Sequence, residues 1–223
     1  MLKGIDISSH QGDIAISPLG VDFVICKATE GLNYVNPWCD PKIQETISLG
    51  LEFGFYHFGR ENDPVAEANY FMENCEGYFG YGVPVLDWER GQSVEWVNTF
   101  VRQVHDVKGI WPLIYANPRY FNLGGVEANC GRWIAQYPAH LVHPDLNAEP
   151  GEDPATDGIV CMWQYASDGR LPGYGGDLDL NHFFGDATAW AKYAGRYYEQ
   201  PGPEPSVSVL ENDEFKVTIE EKK

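Results

Sequence analysis

Residues 83–89 read VPVLDWE, an apolar run that turns acidic at its end. A short apolar run of this kind predicts a buried β-strand. Alternation along it puts Asp87 and Glu89 on one face, with Cα atoms about 6.6 Å apart, and Trp88 on the other. The run therefore predicts a strand that delivers two carboxylates from its C-terminal end while a tryptophan packs behind them.

Similar runs lie on both sides of it, at 5–8, 23–28, 53–58, 113–117, 133–137, 159–165 and 178–181. Aspartate, asparagine or glycine near several of their ends suits a turn into a surface loop. Helical patterns separate the earlier runs, at 41–49, 64–74 and 93–108. Pro41 and Pro64 suit first helical turns, and Gly50 and Gly109 are stop signals. On the third helix Trp96, Phe100, Val104 and Val107 share a face that suits packing on a sheet. Past Asn117 the helical signal weakens, and 140–158 is rich in proline, glycine and acidic residues, the composition of a loop. The fold class expected is α/β, an irregular (β/α) TIM-like barrel with eight strands and incomplete outer helices.

A length of 223 residues fits one such barrel, although two smaller domains would also fit. The tail changes character after Tyr198. PGPEPS at 201–206 reads as a stiff linker, and two alternating runs, SVSVL and FKVTI, follow it. They suit a small hairpin, the opening strands of a further module, or a disordered acidic tail. The organisation expected is a catalytic domain over 1–199 and a linker or module start over 200–223.

Aspartate and glutamate total 33 against 15 lysines and arginines, a balance of -18 that argues against a surface built for nucleic acid. The five cysteines, at 26, 39, 75, 130 and 161, lack the paired spacing of structural zinc and are expected as reduced, buried thiols. The six histidines form no compact metal-ligand pattern, and no phosphate-binding or dinucleotide glycine motif stands in a strand-to-helix context. No cofactor and no metal are expected. His10 and His57 are placed near the rim, for support or packing as readily as for proton transfer. Polar residues in MLKGIDISSHQGDI precede any hydrophobic stretch, so neither a signal peptide nor a membrane anchor is expected. A monomer made in the cytoplasm is the expectation. A substrate outside the membrane would then require release by lysis or through a holin-type pore.

Other strand ends add to the acidic pair. GIDISSH puts Asp6 on a face with Gly4 and Ser8, and GGDLDLN puts Asp177, Asp179 and Asn181 on one face. Barrel closure makes the first and last strands neighbours, which brings Asp6 and Asp179 to the rim that carries Asp87 and Glu89. Crowded carboxylates disfavour joint ionisation, so at least one keeps its proton near neutrality. An acid that keeps its proton, beside a second carboxylate, is what cleavage of a glycosidic bond requires. Tyr56, Tyr115, Tyr137, Trp163 and Tyr165 lie near strand ends, where rings cover the apolar faces of sugars, although strand parity forbids all five from facing the lumen.

GIDISSHQG, FVICKATEG, FGFYHFG, PVLDWE, PLIYANPRYF, RWIAQYP and MWQYASDGRLPGYGGDLDLN, taken in order, resemble glycoside hydrolase family 25, the lysozymes found in phage endolysins and microbial wall hydrolases. The resemblance covers essentially residues 3–185. It implies an irregular β/α barrel that cleaves the β-1,4 bond from N-acetylmuramic acid to N-acetylglucosamine in bacterial peptidoglycan. It implies Glu89 as general acid and Asp87 as stabiliser of the transition state or of an intermediate formed with the substrate acetamido group. Asp6 and Asp179 are implied as residues that tune or orient the reactive groups, with Asp177 as an alternative within the repeated DLDLN. Substrate contacts are expected from Tyr56, Tyr115, Tyr137, Trp163 and Asp177. Two other readings stay open, a chitinase-like N-acetylhexosaminidase and an inactive wall-binding module.

Overall fold

The computed structural model describes residues 1–196 and, beyond them, the backbone of two short strands. The first half of the chain supplies β1 (Leu2–Ile7), β2 (Phe23–Glu30), a two-residue β3 (Tyr34–Val35), β4 (Glu52–Phe58) and β5 (Val83–Asp87). The second half supplies β6 (Leu113–Ala116), β7 (Arg132–Ala135), β8 (Val160–Gly169) and β9 (Leu178–Phe183). β1, β2, β4, β5, β6, β7 and β8 are parallel, and β9 pairs antiparallel with both β8 and β1 to close the ring. The eight-stranded barrel is therefore formed, with β3 a short antiparallel addition on β2. Reversal of β9 follows from its connection: only residues 170–177 separate it from β8, too few for a parallel crossover of about a dozen or more.

Helices cover the first half as the spacing predicts. α1 (Cys39–Ser48) begins two residues before the expected Pro41, and α2 (Pro64–Asn74) opens at Pro64 with Asp63 accepting from the Ala66 amide. α3 (Val94–Lys108) is capped by Ser93, which accepts from the Trp96 amide, and stops at Gly109 with φ 70°. Its buried stripe is Val97, Phe100, Val101 and Val104, while Val107, expected on that face, is exposed. The 97, 100, 101, 104 spacing is the buried helical stripe, and Val107 lies in the last turn, one residue before the helix ends. In the second half, α4 (Pro118–Phe121) is a single turn capped by Asn117, and 140–158 holds no helix or strand.

A short α5 (Ala187–Tyr193), not expected, follows β9 and is capped by Asp186. Its Trp190 is fully buried, with ring centroids 4.6 Å from Phe23 and 5.1 Å from Phe183, and so plugs the N-terminal end of the barrel. Phe23, Ile25, Val83, Val85, Leu113 and Trp133 fill the lumen above it. With that end sealed, the C-terminal rim is where a cleft opens. All five cysteines are buried and unbridged. In the tail, β10 (Ser208–Glu211) and β11 (Lys216–Ile219) pair antiparallel, the hairpin alternative for the two runs. The linker reading of 201–206 falls outside the described residues.

Candidate active site

β5 ends at Asp87, and Glu89 stands just past it rather than in the strand, yet both face one cleft at the C-terminal rim. Trp88 between them is fully buried, donating its indole N–H to the Gln92 carbonyl at 2.8 Å and packing 4.9 Å from the Tyr120 ring. It anchors the backbone on which both carboxylates turn inward. Asp6 and Asp179 are cross-strand partners in the β1–β9 pair and line the same cleft. Because β9 runs backwards, its second residue lies at the rim where the parallel strands end.

Asp6 is held by two amides. Gln164 Nε2 and Asn181 Nδ2 each donate to its Oδ2 at 2.8 Å. Each amide is oriented in turn by a group that donates: Trp133 Nε1 to Asn181 Oδ1 at 2.8 Å, and the Tyr115 and Tyr137 hydroxyls to Gln164 Oε1 at 2.7 and 2.5 Å. An indole N–H has no acceptor role, so Asn181 must offer Trp133 its oxygen and Asp6 its nitrogen. Asp6 Oδ2 is thereby fixed as an acceptor.

Three expected sugar contacts, Tyr56, Tyr115 and Tyr137, do line the cleft. Trp163 does not: its side chain is buried in the outer core, where its indole donates to the Gln136 carbonyl at 2.7 Å. Tyr165 shares that outward face and reaches the Asp145 carbonyl. β8 presents Gln164 to the lumen, and strand alternation turns both aromatic neighbours away. Asp177 is also displaced from the cleft, being half exposed and paired with Arg170 at 2.7 Å. It precedes β9 and lies outside the register that carries Asp179 inward. His57 faces outward, buried between Glu67 at 2.9 Å and Thr29 at 2.8 Å, whereas His10 lines the cleft.

Lys27, Phe58, Trp133 and Gln164 line the cleft without having been singled out. Lys27 follows Phe23 and Ile25 on the lumen face of β2, so an isolated cation on an apolar parity was its signal. Its ammonium lies 4.4 Å from the Phe58 ring centroid and 2.5 Å from Glu30.

The description glycosyl hydrolases family 25 belongs to the family model that matches residues 5–174. The chain is a member of that family. It is 32% identical over 192 residues to the autolytic lysozyme of Clostridium acetobutylicum, covering 82% of this chain and 56% of that one. It thus spans little more than half of that relative. Against the N,O-diacetylmuramidase of a Chalaropsis species, identity is 30% over 205 residues, covering 80% and 96%. Among solved structures, the bacterial lysozyme of Streptomyces coelicolor superposes with a TM-score of 0.72 at 27% identity, covering 87% and 97%. The muramidase of Acremonium alcalophilum gives 0.70 at 26%, covering 87% and 99%.

In this family 25 cleft the carboxylates are electrostatically unequal. Burial and the charges of Asp6 and Glu89 push Asp179 up to about 9. Asp6 rises less, to about 6, because the amides of Asn181 and Gln164 offset part of its burial. Burial, then the Glu89 charge, holds Asp87 well above the carboxylate range although Lys27 opposes it. Its Oδ1 is buried without a hydrogen-bond partner among the described residues. Glu89 is also raised, by burial, against the pull of Arg90 and Lys27. Burial therefore favours the neutral form most strongly at Asp87 and Asp179.

A raised acid in the folded state has a defined effect on stability. Asp179 binds its proton more tightly folded than unfolded, so its contribution is fully present below about pH 3.8 and is lost as pH rises through about 9. Asp179→Asn removes that loss. The variant should unfold at a higher temperature than the native protein at pH 8, with the gap shrinking toward pH 4. Thermal unfolding at both pH values checks this, and a gap independent of pH contradicts it.

Proposed function

We propose that the chain is a muramidase, hydrolysing the β-1,4 bond between N-acetylmuramic acid and N-acetylglucosamine in bacterial peptidoglycan after release from the cell in which it is made. The observation that carries this reading is the convergence of Asp6, Asp87, Glu89 and Asp179 on one aromatic-walled cleft. Membership of family 25 and its likeness to proteins described as lysozymes and muramidases support it.

Glu89, raised and open to solvent at the rim, is the general acid that protonates the departing sugar oxygen. Asp87 takes the acetamido group of the sugar being cleaved. Asp87 lines the cleft and accepts the acetamido N–H, and this bond aims the acetamido oxygen at the anomeric carbon. As the C–O bond to the leaving group breaks, that oxygen closes on the anomeric carbon and positive charge spreads onto the acetamido group, which favours the ionised form of Asp87. Water then opens the cyclic intermediate, giving its proton to the Glu89 carboxylate and restoring the acid. Asp6, locked by its amides, and Asp179, keeping its proton, orient the pair across the cleft.

The test is release of soluble fragments from purified peptidoglycan against release from chitin oligosaccharides. Wall cleavage is expected. Cleavage of chitin alone would replace this reading with that of a chitinase-like enzyme.

A further inference from the structure

The cleft does not end at Glu89. It continues between the ends of β6 and β7 as a groove lined by Asn117, Arg119, Tyr120 and Gln136, sharing Glu89 and Tyr137 with the cleft itself. Arg119 is the cation of this groove. Its guanidinium lies 4.8 Å from the Tyr120 ring centroid and donates to the Tyr120 hydroxyl at 3.3 Å. That hydroxyl donates onward to the Glu89 carbonyl at 3.0 Å. The arginine is thus tied to the backbone of the general acid.

Its charge is otherwise unused. Lys27, Lys42, Arg60, Arg102, Lys108 and Arg170 each meet a carboxylate, as does Arg196. Arg119 is exposed and meets none among the described residues. Lys3, Arg90, Arg132 and Lys192 likewise meet no carboxylate among the described residues, but of these five only Arg119 lines the cleft or the groove beside it. The groove beside the cleft offers a guanidinium whose planar fork matches a carboxylate.

We propose that this groove is a carboxylate-binding subsite in which Arg119 holds an acidic substituent of the glycan while the neutral sugar rings occupy the cleft. The inference rests on the muramidase reading for the identity of the glycan. Two sources share the chemistry: the lactyl group of muramic acid when it carries no peptide, and the free carboxylates of an attached peptide. The subsite lets a protein of formal charge -18 discriminate in favour of an acidic polymer by a local contact rather than by its overall field.

Three short glycans of one length separate these possibilities: one bearing stem peptides with free carboxylates, one with the peptides removed to leave lactyl carboxylates, and the methyl ester of the second. Steady-state cleavage is compared for the native protein, Arg119→Gln and Arg119→Lys, with calorimetric binding in the Glu89→Gln background so that each glycan stays intact. Arg119→Gln is expected to raise KM and weaken binding by about 2- to 5-fold for a carboxylate-bearing glycan, the scale of an exposed ion pair. kcat should stay within about twofold. The ester should be unaffected, Arg119→Lys should retain most of the affinity, and added salt should shrink the difference. Loss confined to the peptide-bearing glycan assigns the peptide as source, and loss confined to the peptide-free one assigns the lactyl group. Equal loss on the neutral ester, or no loss on any glycan, overturns the subsite. If the native protein cleaves none of the three, the muramidase reading fails, and the binding series still decides the subsite.

Discussion

Glu89→Gln is expected to slow single-turnover cleavage of a defined muropeptide by roughly 100-fold or more, the scale of a lost acid catalyst. Glutamine keeps the shape of the side chain and much of its hydrogen bonding, but it has no proton to give the departing oxygen. Glu89 stands past the end of β5, where Trp88 and Tyr120 hold its backbone through groups the substitution leaves alone. Fold and affinity should therefore survive, as circular dichroism and muropeptide binding would show. Asp87→Asn should also impair turnover by a different route, since an amide cannot become the anion that the charged acetamido intermediate favours. Near-native cleavage by Glu89→Gln would remove it as the acid.

The second large effect lies at the floor of the barrel. Gly4 in β1 faces the lumen opposite Phe23 of β2, and a Cβ there would lie 2.4 Å from the Phe23 carbonyl oxygen and 2.6 Å from its ring. The backbone oxygen belongs to a paired strand and Phe23 is wedged against Trp190, so neither moves aside easily. Gly4→Ala is therefore expected to destabilise by about 3 kcal/mol, the upper range for overpacking. That corresponds to a fall in melting temperature of roughly 6–12 °C for a chain of this size. Activity should fall with it, because Asp6 is two residues along the same strand. Gly77→Ala, where an added Cβ meets nothing within 4 Å, is the control that should melt unchanged. Equal melting of the two variants would show that β1 and β2 part more readily than the packing implies.

Strand parity explains both what was legible in the sequence and what was not. In β1 and β5 the polar residues stand near the strand end, so strand parity alone puts Asp87 with Glu89 on one face and Asp6 with Ser8 on the equivalent face of another strand. β8 is less legible, because VCMWQYA is apolar on both sides of Gln164, the pattern of a strand buried on both faces. Trp163 is therefore expected as a sugar contact, although the single polar residue beside it, Gln164, marks the lumen. Within DLDLN the choice between Asp177 and Asp179 depended on the register against β1, a pairing that spans almost the whole chain. α5 escaped because seven residues are too few to display a helical period, although Asp186 is a cap of the expected kind. The amides that fix Asp6 belong to a network assembled from β1, β6, β7, β8 and β9, visible only when the barrel closes.

The most direct test of the muramidase assignment is the identity of the new reducing end. Purified peptidoglycan is digested, reduced with borohydride and hydrolysed, and the amino-sugar alcohols are separated. The account predicts that the muramic acid alcohol rises with digestion while the glucosamine alcohol stays at background. A rise in the glucosamine alcohol instead would mean that the other glycosidic bond is cut, and would contradict it.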